Sequence, residues 1–274
     1  MDKLRRTQLN RWRKEIGHLL LSEVTSVKIF DVIMKWKREP NERGIPRKEA
    51  ILNRHLSTLS LVLTAAQHDW GWISQNPARD VRRQREPRGR IRYLSTDERE
   101  RLLKSCRESY CPFIYPVVVL ALSCGMRKSE IMGLRWKDVD LDNGIILLYK
   151  TKNNEPRRVV IRKHALEELR KHAKVRRLDT DLLFPGERSP SGIKPFDIRK
   201  SWEDARRRAG IENFVFHDLR HSCASYLAMN GASALDIAEV LGHKSLDMVK
   251  RYAHLSESHV ASVVEKMNEM IFGK

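Results

Sequence analysis

Cysteine is scarce in this 274-residue chain: Cys106, Cys111, Cys124 and Cys223 are all of it, and no two form a CxxC pair. That excludes a disulfide framework and the common zinc spacings, and points to free thiols in a reducing compartment. Cys223 with His217 and His221 matches no zinc pattern either, so no metal site is expected. No apolar run approaches the roughly 20 residues that cross a bilayer, and the N-terminus lacks the hydrophobic core of a signal peptide. A soluble cytoplasmic protein with no membrane partner is therefore expected. The phosphate-loop pattern GxxxxGKS/T is missing, which argues against nucleotide-driven chemistry. There is no internal repeat and no low-complexity tract.

Negative charge is also in short supply, with 35 Asp/Glu against 53 Lys/Arg for a formal charge of +18. Residues 1–90 hold 20 Lys/Arg against 10 Asp/Glu, so this third of the chain carries over half of the excess. Such a balance favours a polyanionic partner, although basicity can also serve solubility alone. Hydrophobic residues at 41% are enough for a folded core.

Apolar spacing predicts helices over 4–21, 27–37 and 50–70, the last ended by Gly71 and Asn76-Pro77. They make a basic helical domain at 1–80. The hydrophobic pattern then fades over 81–92, where Arg82, Arg83, Arg85, Arg88 and Arg90 surround Pro87 and Gly89. A run of this kind fits a solvated linker, or one lying along phosphates. A second domain, 93–274, opens on Ser95 and Glu98 at capping-box spacing. Helices are predicted at 96–107, 113–123, 164–176, 198–209, 216–229, 234–241, 246–253 and from about 256 to 272. Two strands, 144–150 and 157–161, turn through Asn153-Asn154. The fold class expected is mainly α with a small β-sheet, α+β.

Four places in the second domain carry chemistry. Arg127 follows an apolar segment in Cys124-Gly-Met-Arg-Lys-Ser-Glu130. His217 and Arg220 are three apart at the start of a helix and so share a face, near its positive end. His243 follows a glycine, and Tyr252 comes shortly after. Each alone fits a surface cation, a helix cap or a helix end. Together they supply a nucleophile, forked cations that can pair with phosphate oxygens, and proton carriers. Attack by a tyrosine on a phosphodiester needs all three kinds of group, because charge grows on the nonbridging oxygens, the phenol must lose its proton and the leaving oxygen must gain one.

The flanking residues Gly125-Met-Arg127-Lys-Ser-Glu130-Ile-Met-Gly-Leu-Arg-Trp136, His217-Asp-Leu-Arg-His-Ser-Cys-Ala-Ser225 and Val240-Leu-Gly-His-Lys-Ser245, with Tyr252 behind them, resemble the tyrosine recombinase family, also called phage integrases. The resemblance runs from about Arg92 to His254, and the N-terminal third looks like the family's SAM-like core-site-binding domain. It implies a site-specific recombinase acting on double-stranded DNA with paired sites, without metal, nucleotide or other cofactor. Tyr252 would form a 3′-phosphotyrosine bond, Arg127 and Arg220 would hold the scissile phosphate, and His217 would move a proton at the tyrosine. His243 would bond to the phosphate, Lys152 at the hairpin turn would be the general acid, and Glu130 would orient the cations. The basic linker would contact DNA through Arg82, Arg83, Arg85, Arg88 and Arg90. The tail helix would dock on a neighbouring protomer in a tetrameric synapse on nucleoid DNA.

Family members commonly have a further helix before the position of Leu4, and many carry a separate arm-site domain. An N-terminally incomplete helical domain is thus one expectation, beside a minimal enzyme. Two other functions compete. A topoisomerase-like enzyme would use the same tyrosine chemistry without paired sites. A helix-turn-helix regulator would use 234–241 and 246–253 to read DNA without cutting it.

Overall fold

The structure, a computed structural model, describes residues 3–40, 44–87, 91–149, 156–190, 192–243 and 245–273, with backbone alone at residue 3 and over 256–260. Two compact units divide the chain, Met1–Gly89 and Arg90–Lys274.

The first unit is built on three helices, α1 (Lys3–Ile16), α2 (Ser26–Arg38) and α3 (Glu49–His68). Their apolar stripes meet around Trp12, Ile29, Ile33, Trp36, Leu52, Leu56 and Leu63. The rings of Trp12 and Trp36 lie 4.5 Å apart. Each indole nitrogen has an acceptor, Trp12 in the His55 carbonyl and Trp36 in the Glu15 carboxylate, so neither donor is stranded. α1 stops at Ile16, short of the expected 21, because Gly17 follows and a 3₁₀ turn takes over at Leu21–Glu23.

Residues 81–86 pack on this unit instead of hanging free. Val81 belongs to its core. Asn53, buried on α3, donates to the carbonyl of Gln84 at 2.8 Å and to the Glu86 carboxylate at 2.7 Å, and accepts from the Gln84 amide at 2.9 Å. Arg82, Arg83 and Arg85 are exposed on this strapped segment, while Arg88 and Arg90 lie outside the described residues.

The second unit is organised around α5 (Ile114–Cys124), which is apolar on nearly every side and correspondingly buried. It is packed by α4 (Thr96–Arg107), α7 (Lys163–Ala173) and α9 (Asp218–Met229). α4 starts on the Ser95–Glu98 capping box expected from the sequence. A three-stranded antiparallel sheet follows, in the order β1 (Val139–Asp140), β2 (Ile145–Leu148) and β3 (Arg157–Val160), with Ile145 opposite Val160. The sequence pattern does not predict the short helix α6 (Lys128–Met132), the strand β1 or a second hairpin, β4 (Pro185–Ser189) with β5 (Gly192–Pro195). Its signal there is weak: β4 is Pro-Gly-Glu-Arg-Ser and both strands of the second hairpin are largely exposed. α8 (Arg199–Arg208), α10 (Ala234–Leu241) and α11 (Glu257–Phe272) complete the unit. The architecture is mainly helical with small sheets, as expected.

One predicted helix is corrected. Residues 246–253 form no α-helix but two 3₁₀ turns, Leu246–Met248 and Lys250–Ser256. In a 3₁₀ turn residues three apart eclipse one another. That aligns Tyr252 with Leu255, and with Val249 just before the turn they join Ala224 and Ala228 of α9 and Ile237, Ala238 and Leu241 of α10 in one apolar cluster. Without a second α-helix, the helix-turn-helix reading of this region loses its recognition element.

Candidate active site

Five short segments carry the site, and long-range hydrogen bonds tie them together. α5 ends at Gly125, whose φ of 59° is the left-handed conformation that suits glycine. A Cβ there would sit 2.3 Å from the Leu241 side chain, so a side chain would push α10 away. Two residues on, Arg127 caps α6. Arg220, buried on α9, donates through Nη1 to the Gly125 carbonyl and through Nη2 to the Leu241 carbonyl, both at 2.6 Å. One guanidinium therefore joins the end of α5 to the end of α10 and still has further N–H groups.

Glu130 is the anionic hub. Its carboxylate accepts from the Arg127 amide at 2.9 Å and from Arg127 Nη1 at 2.6 Å, and from Arg157 Nη2 at 2.9 Å. Burial would raise its pKa, but the Arg127 amide, the Arg157 charge and the Arg127 guanidinium hold it below the usual value. It stays ionised, as a carboxylate between two arginines must.

His243 follows the left-handed Gly242 and is half-buried. Burial, then the charges of Arg220, Arg127, Arg251 and Arg157, hold it down to about 4. That four arginines act on one imidazole is the electrostatic mark of their convergence. Its Nδ1 is buried without a partner among the described residues. Arg220 is itself held down to about 10, by burial first and then by Arg127 and Arg157, and remains a cation at neutral pH. Glu130 is the carboxylate paired with two of these arginines, Arg127 and Arg157.

Tyr252 is 2% exposed. Its hydroxyl lies 2.5 Å from Nδ1 of His221. Burial raises the phenol pKa, opposed by Arg251 and Arg220. His221 is held down to about 4 by burial and then by His217, whose ring packs edge-on to it with centroids 5.1 Å apart. The imidazole at the tyrosine in this structure is thus His221, not the expected His217. His217 sits exposed one turn earlier, its pKa lowered by surrounding protein and by Arg220.

Arg127, Glu130, Arg220, His243 and Tyr252 therefore share one site, with His217 at its rim. Lys152 lies outside the described residues. Two members of the site are not singled out by sequence. His221 carries a signal, being four residues after His217 on the same helical face. Arg157 carries none, since it reads only as the first residue of a strand. Among the described residues no group of three or more His, Cys, Asp or Glu could hold a metal ion.

The chain belongs to the phage integrase family, whose pattern it matches over residues 92–259. It is 28% identical to the integrase of Salmonella phage P22 over 98% of its own length and 75% of that protein's. It is 31% identical to a shufflon-specific DNA recombinase of Escherichia coli, over 89% of this chain and 62% of that one. Tyrosine recombinase XerC of Thermodesulfovibrio yellowstonii is 30% identical, over 82% and 77%. Among solved structures, the Tn1549 transposon integrase in complex with transposon right end DNA aligns with a TM-score of 0.76 at 19% identity, over 97% of this chain and 93% of that one. A lambda integrase dimer bound to a COC′ core site aligns at 0.69 and 20% identity, over 94% and 90%. These two likenesses concern the fold.

Proposed function

We propose that the protein is a site-specific DNA recombinase that cuts and rejoins strands through a covalent bond to Tyr252. The observation that carries this reading is that Arg220 binds the carbonyls two residues before Arg127 and two before His243, while His221 on the same helix holds the buried Tyr252 hydroxyl. Family membership and the relatives named above support it.

In the proposed reaction the Tyr252 oxygen attacks the scissile phosphorus. The phenol proton passes to a neighbouring imidazole, His221 by position or His217 by family resemblance. The bond from phosphorus to the 5′-oxygen breaks, and that oxygen takes a proton, from Lys152 by resemblance. Arg127, Arg220 and His243 hold the nonbridging oxygens as their charge grows. The 3′-phosphotyrosine keeps the energy of the broken ester, so a 5′-hydroxyl from another strand can reverse the step without nucleotide.

Double-stranded DNA is the partner, met by the basic helical unit and by Arg82, Arg83, Arg85, Arg88 and Arg90. Of these, the first three are exposed. Exchange between paired sites requires several protomers, here a tetramer. The α11 face supports this, since Val263, Val264, Met267 and Ile271 are all about half exposed. Among the described residues no helix is long and apolar enough to cross a membrane. The cytoplasm, on nucleoid DNA, is the proposed place of action.

The test is to map covalent protein–DNA junctions across the host genome and any adjacent mobile element, with the adduct sequenced. Adducts on Tyr252 at a few paired sites are expected. Scattered junctions with relaxation of supercoils would replace this reading with a topoisomerase-like one.

A further inference from the structure

The Arg157 side chain is 13% exposed and bridges the Glu130 carboxylate and the end of α10. It stands at the start of β3, five residues after Lys152 in the sequence. Its Nη2 binds Glu130, the same carboxylate that holds Arg127. Its Nη1 donates to the Val240 carbonyl at 2.9 Å, in the last turn of α10. Its stem runs under the residue before His243: a Cβ on Gly242 would lie 2.6 Å from Arg157 Cδ and 2.9 Å from Nη1. Gly242 is left-handed as well, with φ 64°. Glycine there serves the turn and also leaves room for Arg157.

The guanidinium is not arranged for its own satisfaction. Its Nε is buried with no partner among the described residues, although buried donors are normally paired. Its charge opposes those of Arg220 and His243⁺, since it lowers the pKa of both. A side chain that leaves a donor unpaired and crowds like charges is not explained by packing.

We propose that Arg157 is a positioning residue: its fork fixes the Arg127–Glu130 pair and the Gly242–His243 turn relative to each other and to β3. The geometry uses both arms of the fork at once, one on α10 and one on α6's carboxylate. Lysine would keep the charge but offers no planar fork to hold two acceptors in fixed directions. Arg157 acts on the phosphate only through Arg127 and His243. The inference rests on the recombinase reading of this site.

The experiment uses the full chain and a nicked duplex bearing a junction sequence mapped as above, on which the covalent adduct accumulates. Single-turnover adduct formation at saturating protein and half-site affinity are measured for wild type, Arg157→Lys, Arg157→Gln, Glu130→Gln and the double variant Arg157→Lys/Glu130→Gln. Displacing reacting groups by about 1 Å can cost about 10²-fold in rate. Arg157→Lys should therefore lose about 10- to 100-fold in adduct rate, with half-site affinity within about threefold. Because both residues act through one network, the double variant should be little worse than Glu130→Gln alone. A wild-type rate in Arg157→Lys would overturn the proposal, and so would multiplicative losses in the double variant or a loss carried entirely by affinity. If Arg157→Gln does not fold, the Lys variant and its cycle decide. Wild type and Tyr252→Phe run alongside: no adduct with wild type, or an adduct with Tyr252→Phe, would count against the recombinase reading and not against Arg157.

Discussion

Tyr252 and His221 share a 2.5 Å hydrogen bond that buries the hydroxyl proposed to attack DNA. The 3₁₀ turn that carries the tyrosine is anchored to α9 by this bond and by the packing of Val249 and Leu255. The same contact serves stability here and proton transfer in the proposed reaction.

Tyr252→Phe should abolish adduct formation on a nicked duplex and leave DNA affinity within about twofold. It removes the nucleophilic oxygen and leaves His221 Nδ1 without its partner. An unpaired buried polar group costs about 1–3 kcal/mol, so the variant should also melt a few degrees lower. An adduct that persists would move the nucleophile elsewhere.

Arg220→Lys should cut the adduct rate by about 10²–10³, the usual scale for losing an aimed donor. It should also destabilise the catalytic unit, because an ammonium cannot span the Gly125 and Leu241 carbonyls as the fork does. Arg127→Lys should show a similar loss of rate with less loss of stability, since Arg127 is only partly buried and its backbone amide still binds Glu130. Rapid-quench rates and thermal melts on the same preparations separate the two effects.

Replacing Arg82, Arg83, Arg85 and Arg88 by alanine should weaken DNA binding and flatten its salt dependence. Each phosphate that no longer meets a cation takes about 0.9 off the slope of log K against log salt. Asn53 and Gln84 hold the path of this segment, so Asn53→Ala should weaken binding without changing the number of charges. An unchanged slope in the arginine variant would make the segment a tether.

Acid should destabilise the protein well above the range where its carboxylates titrate. His55, His221 and His243 are each held from 6.5 down to about 4, with burial as the first cause. Between those values the unfolded chain binds more protons than the folded one, so stability is full above about pH 6.5 and falls as pH drops toward 4. The thermal midpoint should fall over that window, by about 2–4 °C for each kcal/mol of stability removed. His243→Gln should flatten the fall, and a midpoint constant from pH 7 to 5 would contradict these shifts.

Deleting 258–274 should spare binding to one half-site and reduce cooperative assembly on a full site, read by mobility shift and by mass in solution. Equal assembly by the truncated chain would mean that α11 couples nothing.

Most of the helices and the chemical vocabulary were legible in the sequence alone. Amphipathic spacing placed α2, α3, α4 and α10 nearly to the residue, because each helix buries a stripe that recurs every three to four positions. The run from Gly125 to Trp136, the His217–Arg220 pair and Tyr252 could be read in order, because short motifs keep their residue types at fixed offsets. What lay beyond the sequence depends on atoms brought together from afar. Arg220 reaches a carbonyl 95 residues away and Arg157 one 83 residues away, and no local pattern encodes either bond. Tyr252 and Leu255, three apart in a 3₁₀ turn, join small residues of α9 in one apolar cluster, while the same spacing in isolation fits an α-helix equally well. Tertiary packing chose between them, and with that choice put His221 against the tyrosine.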